Sequence, residues 1–140
     1  MDKTNKELKK NFSIAEKSFS EGNHQDAIKK YEEILIDYPN LVGAINNIAL
    51  SLEYLGQLDM SLVNYRKCSV MIPNEKIFIN NVANIYFKKK DYNNAIKEWT
   101  NSLLIDDNQI EIIFKKSECL IKLNLRSDAD LFLINYIKRF

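Results

Sequence analysis

Glycine and proline are scarce in this chain of 140 residues, with three and two copies. That is too little punctuation for a many-turned β-sandwich or a glycine-rich phosphate loop, and it favours helices joined by short connectors. The two cysteines, Cys68 and Cys119, lie too far apart for a paired metal-ligand or redox motif, and each falls in a helical stretch among apolar neighbours. Both are expected to be reduced and packed. One histidine, His24, gives no catalytic triad, and its place at the start of a helix predicts packing or capping. Neighbouring carboxylates, Glu32–Glu33 and Asp106–Asp107, sit at consecutive positions that face apart or lie in a turn, so they make no acid and base pair. No metal-ligand spacing occurs. An enzyme is not expected, nor a cofactor, nor a metal. Charge of one sign is missing too: 20 Lys and Arg stand against 19 Asp and Glu, a net +1, which disfavours a nucleic-acid partner. Long hydrophobic runs are absent, so no membrane span is expected. The opening MDKTNKELKKN carries no apolar stretch behind its lysines, unlike a secretory signal, and predicts a cytoplasmic protein.

What is present is a period. Residues 34 apart keep matching in type: Gly22 and Gly56 lead to Lys90 and Asn124, and Ala27 leads to Ser61, Ala95 and Ala129. Tyr31, Tyr65 and Trp99 form a third series ending at Leu133. Pro39 and Pro73 form a fourth, and Ala15, Ala49, Ala83 and Ser117 a fifth. Within each unit the apolar spacing reads as two helices: Ile45, Ile48, Ala49 and Leu52 fall at i, i+3, i+4 and i+7, and a second such run follows a break at Gly56. The break needs a residue with φ > 0, which Gly accepts most readily and Asn next; at Lys90 the same turn costs modest strain. Proline closes the second helix by biasing its predecessor away from helix. Helices are expected at about 8–21, 24–37, 42–55, 58–71, 76–89, 92–105, 110–123 and 126–139. A polar lead at 1–7 is followed by a single domain at 8–140, with repeats at about 8–41, 42–75, 76–109 and 110–140.

On these residues the chain resembles the tetratricopeptide repeat family. The second repeat carries the pattern as Ile45, Ile48-Ala49, Leu52, Gly56, Ser61, Tyr65 and Pro73, and the third as Ile79, Val82-Ala83, Tyr86, Ala95 and Trp99. Asn11 and Ser18 depart from it in the first repeat. In the fourth, Lys116 falls where an apolar residue belongs, and Asp130 stands where Ile28, Leu62 and Ile96 stand. The resemblance implies an all-α fold, a right-handed superhelical solenoid of about four helical hairpins and eight helices, with a concave face built from the first helix of each pair.

That face implies a protein or peptide partner held in a groove, in an adaptor, scaffold or chaperone-like role. Its expected peptide-binding residues are Phe12, Asn46, Asn47, Leu50 and Tyr54 in the first two repeats. Asn80, Asn81, Asn84, Phe87, Lys88, Phe114 and Lys115 follow in the last two. An Asn amide donates and accepts at once, so Asn47 and Asn81, one period apart, could hold the main chain of an extended peptide, although Asn is also simply abundant at 17 of 140 residues. Family members that clamp the acidic tails of heat-shock chaperones place Lys, Asn and Arg where this chain has Phe12, Glu16, Asn47, Ile77 and Asn81. A register one unit on gives Asn46, Leu50, Asn81, Glu111 and Lys115. Neither set gathers several cations on one anion, so this chain is not expected to bind such tails. The last helix carries apolar residues nearly all round. Leu131, Ile134, Ile137 and Phe140 are its candidate oligomer or partner interface, and self-assembly through them is the alternative function.

Overall fold

Apolar residues recurring three and four positions apart wind the chain into helices in the computed structural model, which describes residues 3–139. These are α1 (Lys3–Ser20), α2 (His24–Asp37), α3 (Val42–Tyr54), α4 (Leu58–Met71), α5 (Lys76–Lys88), α6 (Tyr92–Ile105), α7 (Ile110–Lys122) and α8 (Arg126–Ile137). No strand occurs among the described residues. The chain divides into two compact units, one ending at Pro73 and one beginning at Asn74. α1–α4 form the two hairpins of the first unit, and α5–α8 the two of the second.

Helices α2, α4 and α6 have the bounds their periodicity predicts. α1 departs from expectation: it begins at Lys3, so most of the polar lead is helix. That stretch holds neither Gly nor Pro, and its Lys, Glu and Leu residues are good helix formers. Residues 1 and 2 of the lead lie outside the described residues.

All four hairpins turn in the same way. In the first, Asn23 N–H donates to Ser18 C=O at 2.9 Å and Gly22 N–H to Phe19 C=O at 3.0 Å. The same two bonds recur at Gln57 and Gly56, at Asp91 and Lys90, and at Leu125 and Asn124. This is the six-to-one and five-to-two pattern that satisfies carbonyls at a helix end when the pivot residue is left-handed. The pivots have φ of 78° and 73° at Gly22 and Gly56, and 61° at both Lys90 and Asn124, as the period predicts. α4 ends at Met71, two residues ahead of Pro73, and α2 at Asp37, two ahead of Pro39.

Packing follows the same phase. Ala27, Ser61, Ala95 and Ala129 are fully buried where paired helices cross, and Ser61 Oγ donates to Ala49 C=O at 2.8 Å. In the first unit Tyr31 and Ile34 of α2 pack with Ala15 of α1 and with Ala44, Ile48 and Leu52 of α3, flanked by Leu35, Tyr38 and Leu41. In the second, Trp99 packs with Ala83, Ala95, Ile112 and Cys119. Tyr31, Tyr65 and Trp99 are essentially inaccessible to solvent. The fourth member of that series, Leu133, is only half-buried, and Ala129 is the one fully buried residue of α8. Ser18, an oddity in the sequence pattern, is buried and polar for a reason: it donates to Asp26 and accepts from Lys30, each at 2.7 Å.

Candidate binding faces on the first helices

In the first unit the candidate residues sit on α1 and α3, and much of their chemistry is already engaged. Asn47 Nδ2 donates to Tyr31 Oη at 2.9 Å, which uses one of its two amide hydrogens and fixes the buried ring. Desolvation pushes the Tyr31 hydroxyl above the usual phenol range, so it stays a neutral partner at every physiological pH. Phe12 is half-buried, with its ring edge on Tyr31 at 5.3 Å between centroids. Asn46 and Leu50 are half-buried as well. Tyr54 is 67% exposed. Its ring stacks flat on His24 at 4.7 Å and meets the edge of Phe19 at 5.9 Å, an aromatic trio that joins α1, α2 and α3. His24 is thus a packing residue.

In the second unit the corresponding face lies on α5 and α7, which the side chains tie together. Lys115 Nζ donates to Asn84 Oδ1 at 3.2 Å and pairs with Glu111 at 2.6 Å, and that lysine holds the Glu111 carboxyl below its ordinary range. Asn80 Nδ2 donates to Gln109 Oε1 at 2.8 Å. Asn81 is half-buried and Lys88 exposed. Phe87 turns inward, against Tyr92 at 5.8 Å and Trp99 at 5.9 Å. Phe114 does the opposite and stands 63% exposed. Ile77 of α5 and Ile121 of α7 are exposed too, so apolar side chains project among the amides on these helices.

On α8, Leu131, Ile134 and Ile137 are exposed at 58, 47 and 69%; Phe140 lies outside the described residues. Ile137 shares its phase with Leu35 and Leu103, both of which are partly buried against the cores of their units.

Two features escape the sequence reading. Gln109 Nε2 donates to Ser102 Oγ at 3.0 Å, to Ser102 C=O at 3.1 Å and to Asp106 C=O at 2.7 Å, which latches the α6–α7 connector. Nothing in the period marks it, because a connector residue has no apolar phase. The second is Lys116, whose Nζ lies over the Phe132 ring at 4.4 Å from its centroid. Its oddness was visible in the pattern; its partner was not. Both cysteines are buried and free. Among the described residues no cluster of three or more His, Cys, Asp or Glu could hold a metal ion, and no helix is long and apolar enough to cross a membrane.

Hairpins of one period, closed by one kind of turn and packed through one small-residue crossing, define a helical-hairpin repeat protein. Residues 78–108 match the family model described as tetratricopeptide repeat, and the fold is that of tetratricopeptide repeat proteins, as the 34-residue series implies. MamA 41-end from Desulfovibrio magneticus RS-1 superposes with a TM-score of 0.83 at 12% identity, over 94% of this chain and 74% of that one. The first such domain of Spaghetti (RPAP3), solved bound to the HSP90 peptide SRMEEVD, superposes at 0.76 with 14% identity over 84% of this chain and 93% of that one. In sequence, Hsp70-Hsp90 organizing protein 3 of Arabidopsis thaliana is 28% identical over 113 residues, 81% of this chain and 20% of the relative. The chain therefore spans about a fifth of the length of the curated relatives it matches.

Proposed function

We propose that the chain is a non-catalytic cytoplasmic adaptor that holds an extended partner segment against the first-helix faces of its hairpins. The observation that carries this is the exposure of Ile77 on α5 and of Phe114 and Ile121 on α7, on first helices that also carry Asn80, Asn81 and Asn84. Exposed apolar side chains supply pockets, and neighbouring amides can meet a peptide main chain. On the first unit, Tyr54 with Leu50, Asn46 and Asn47 offers a second patch of the same composition.

The partner is not an acidic chaperone tail, in spite of the peptide bound to Spaghetti. The five matched positions carry no cation, and in the shifted register Lys115 is already held by Glu111. A clamp needs free cations converging on one carboxylate. Calorimetric titration should therefore give no heat with SRMEEVD, and probing an array of extended peptides should select apolar residues. Phe114→Glu should abolish that selection while leaving the helical circular dichroism intact. Tight binding of the acidic peptide, or selection untouched by Phe114→Glu, would reverse this reading.

A second reading has its own support in Leu131, Ile134 and Ile137. An apolar face of this kind marks contact, and a copy of the chain could cover it. Light scattering across a wide concentration range distinguishes the two: Leu131→Lys or Ile134→Lys should turn a dimer into a monomer, and a monomer at every concentration would dismiss self-assembly.

A further inference from the structure

Within the second unit, α6, α7 and α8 line a half-open cavity of about 280 Å³. Its walls are apolar: Leu103 and Leu104 from α6, Ile113 from α7, Phe132 and Tyr136 from α8. Lys116 also lines it. Among the described residues no carboxylate lies within ion-pair reach of Lys116 and no acceptor within hydrogen-bond reach, so its ammonium rests on the Phe132 ring alone. Two other charged residues reach the cavity, Asp107 and Arg139, and they pair with each other. Among the described residues that leaves one uncompensated positive charge against an apolar wall.

The arrangement is particular to this hairpin. One period and two periods earlier, the position of Lys116 is held by Val82 and Ile48, both buried. The position of Phe132 is held by Glu98 and Asn64. Only the fourth hairpin combines a lysine at the core phase with a ring at the polar phase, and with Leu133 in place of a buried Tyr or Trp it also lacks the large side chain that fills the others.

We propose that this cavity is a binding site for a single-chain alkyl monocarboxylate, with the carboxylate on Lys116 and the chain along Leu103, Leu104 and Ile113. One free cation matches one negative charge; a dianion would meet the Asp107 carboxylate beside it. The volume equals that of roughly nine waters at about 30 Å³ each, room for a chain of medium length. Burial alone depresses the Lys116 pKa, and an anion at that point would reverse the effect. Asn135 also lines the cavity.

Titration of the whole chain with octanoate and with 1-octanol, followed by amide shifts in two-dimensional NMR, tests this. Octanoate should shift residues of α7 and α8 around Ile113 and Phe132, and should bind roughly tenfold or more tightly than octanol, as expected for a hydrogen bond between charged groups. Lys116→Met restores the apolar residue type of the repeat, so the fold should survive; octanol binding should persist and the preference for the acid vanish. Equal binding of acid and alcohol by the native chain, shifts centred elsewhere, or no binding of either at millimolar concentration would overturn the proposal.

Discussion

The first hairpin holds a cavity and the fourth hairpin forms another against α6, and six lining positions of the two share a phase of the repeat. Three periods separate Asn11 from Ile113, Ile14 from Lys116, Lys30 from Phe132, Glu33 from Asn135, Ile34 from Tyr136 and Asp37 from Arg139, and every member of these pairs lines its own cavity. Backbone geometry therefore fixes where the gap falls, while side chains decide what it becomes. In the first hairpin, of about 660 Å³, Glu7, Glu33 and Asp37 make it polar. Its lysine, Lys30, is secured by Ser18 and Asp26. In the fourth, cation and apolar group have exchanged places, and among the described residues the lysine has only a ring.

The contrast can be broken most severely at the buried aromatic series. Tyr31→Ala should cost about 3–5 kcal/mol, in the range of other large aromatic deletions, and it also strands the Asn47 amide. Leu133→Ala, at the same phase but half-buried, should cost well under half of that. Urea midpoints with slopes unchanged would measure both; equal losses would mean that the fourth hairpin is packed as tightly as the first.

The two lysines sharpen the comparison through sign. Lys30→Met removes a donor from Ser18 and Asp26 and should lower the melting temperature. Lys116→Met removes a half-buried charge that has no ion-pair partner among the described residues and should raise stability, by on the order of 1 kcal/mol after allowance for solvent screening. pH reports the same term. The folded pKa of Lys116 lies below its unfolded value, so the penalty is fully present below the folded pKa and is relieved as pH rises through it toward the unfolded one. The advantage of Lys116→Met over the native chain should therefore shrink with rising alkalinity, and an advantage that is flat in pH would contradict the burial argument.

The smallest effect belongs to the turns. Lys90 and Gly22 hold the same left-handed conformation in different hairpins. Lys90→Gly should stabilise by about 0.5 kcal/mol, relief of strain less the added chain entropy, whereas Gly22→Ala should destabilise by about 1 kcal/mol. Equal responses would mean that the two turns are not mechanically equivalent.

Nearly all of the fold was legible because it repeats. The pivots, the proline stops and the small crossing residues each recur at one phase, and a local rule seen several times is hard to mistake. The faces were legible only as positions. Asn47 and Phe12 stand where the period puts them, yet both contact Tyr31 from α2, and such a contact between phases leaves no mark on the series. Lys116 and Phe132 were legible singly, as exceptions, and their meeting depends on a helix crossing that no single spacing encodes. Lys3 to Glu7 joined α1 because a stretch without Gly or Pro, with Lys and Glu among its residues, extends a helix already nucleated, whatever its apolar pattern.

The two thiols give the molecule a pair of internal clocks. Cys68 in α4 and Cys119 in α7 are wholly shielded from solvent, and burial pushes each thiol up to about 11, so neither reacts with an alkylating reagent until its surroundings open. One lies in each compact unit. The rates at which a native sample loses its two thiols therefore time the opening of the two halves separately, in a single reaction vessel and without any engineered label.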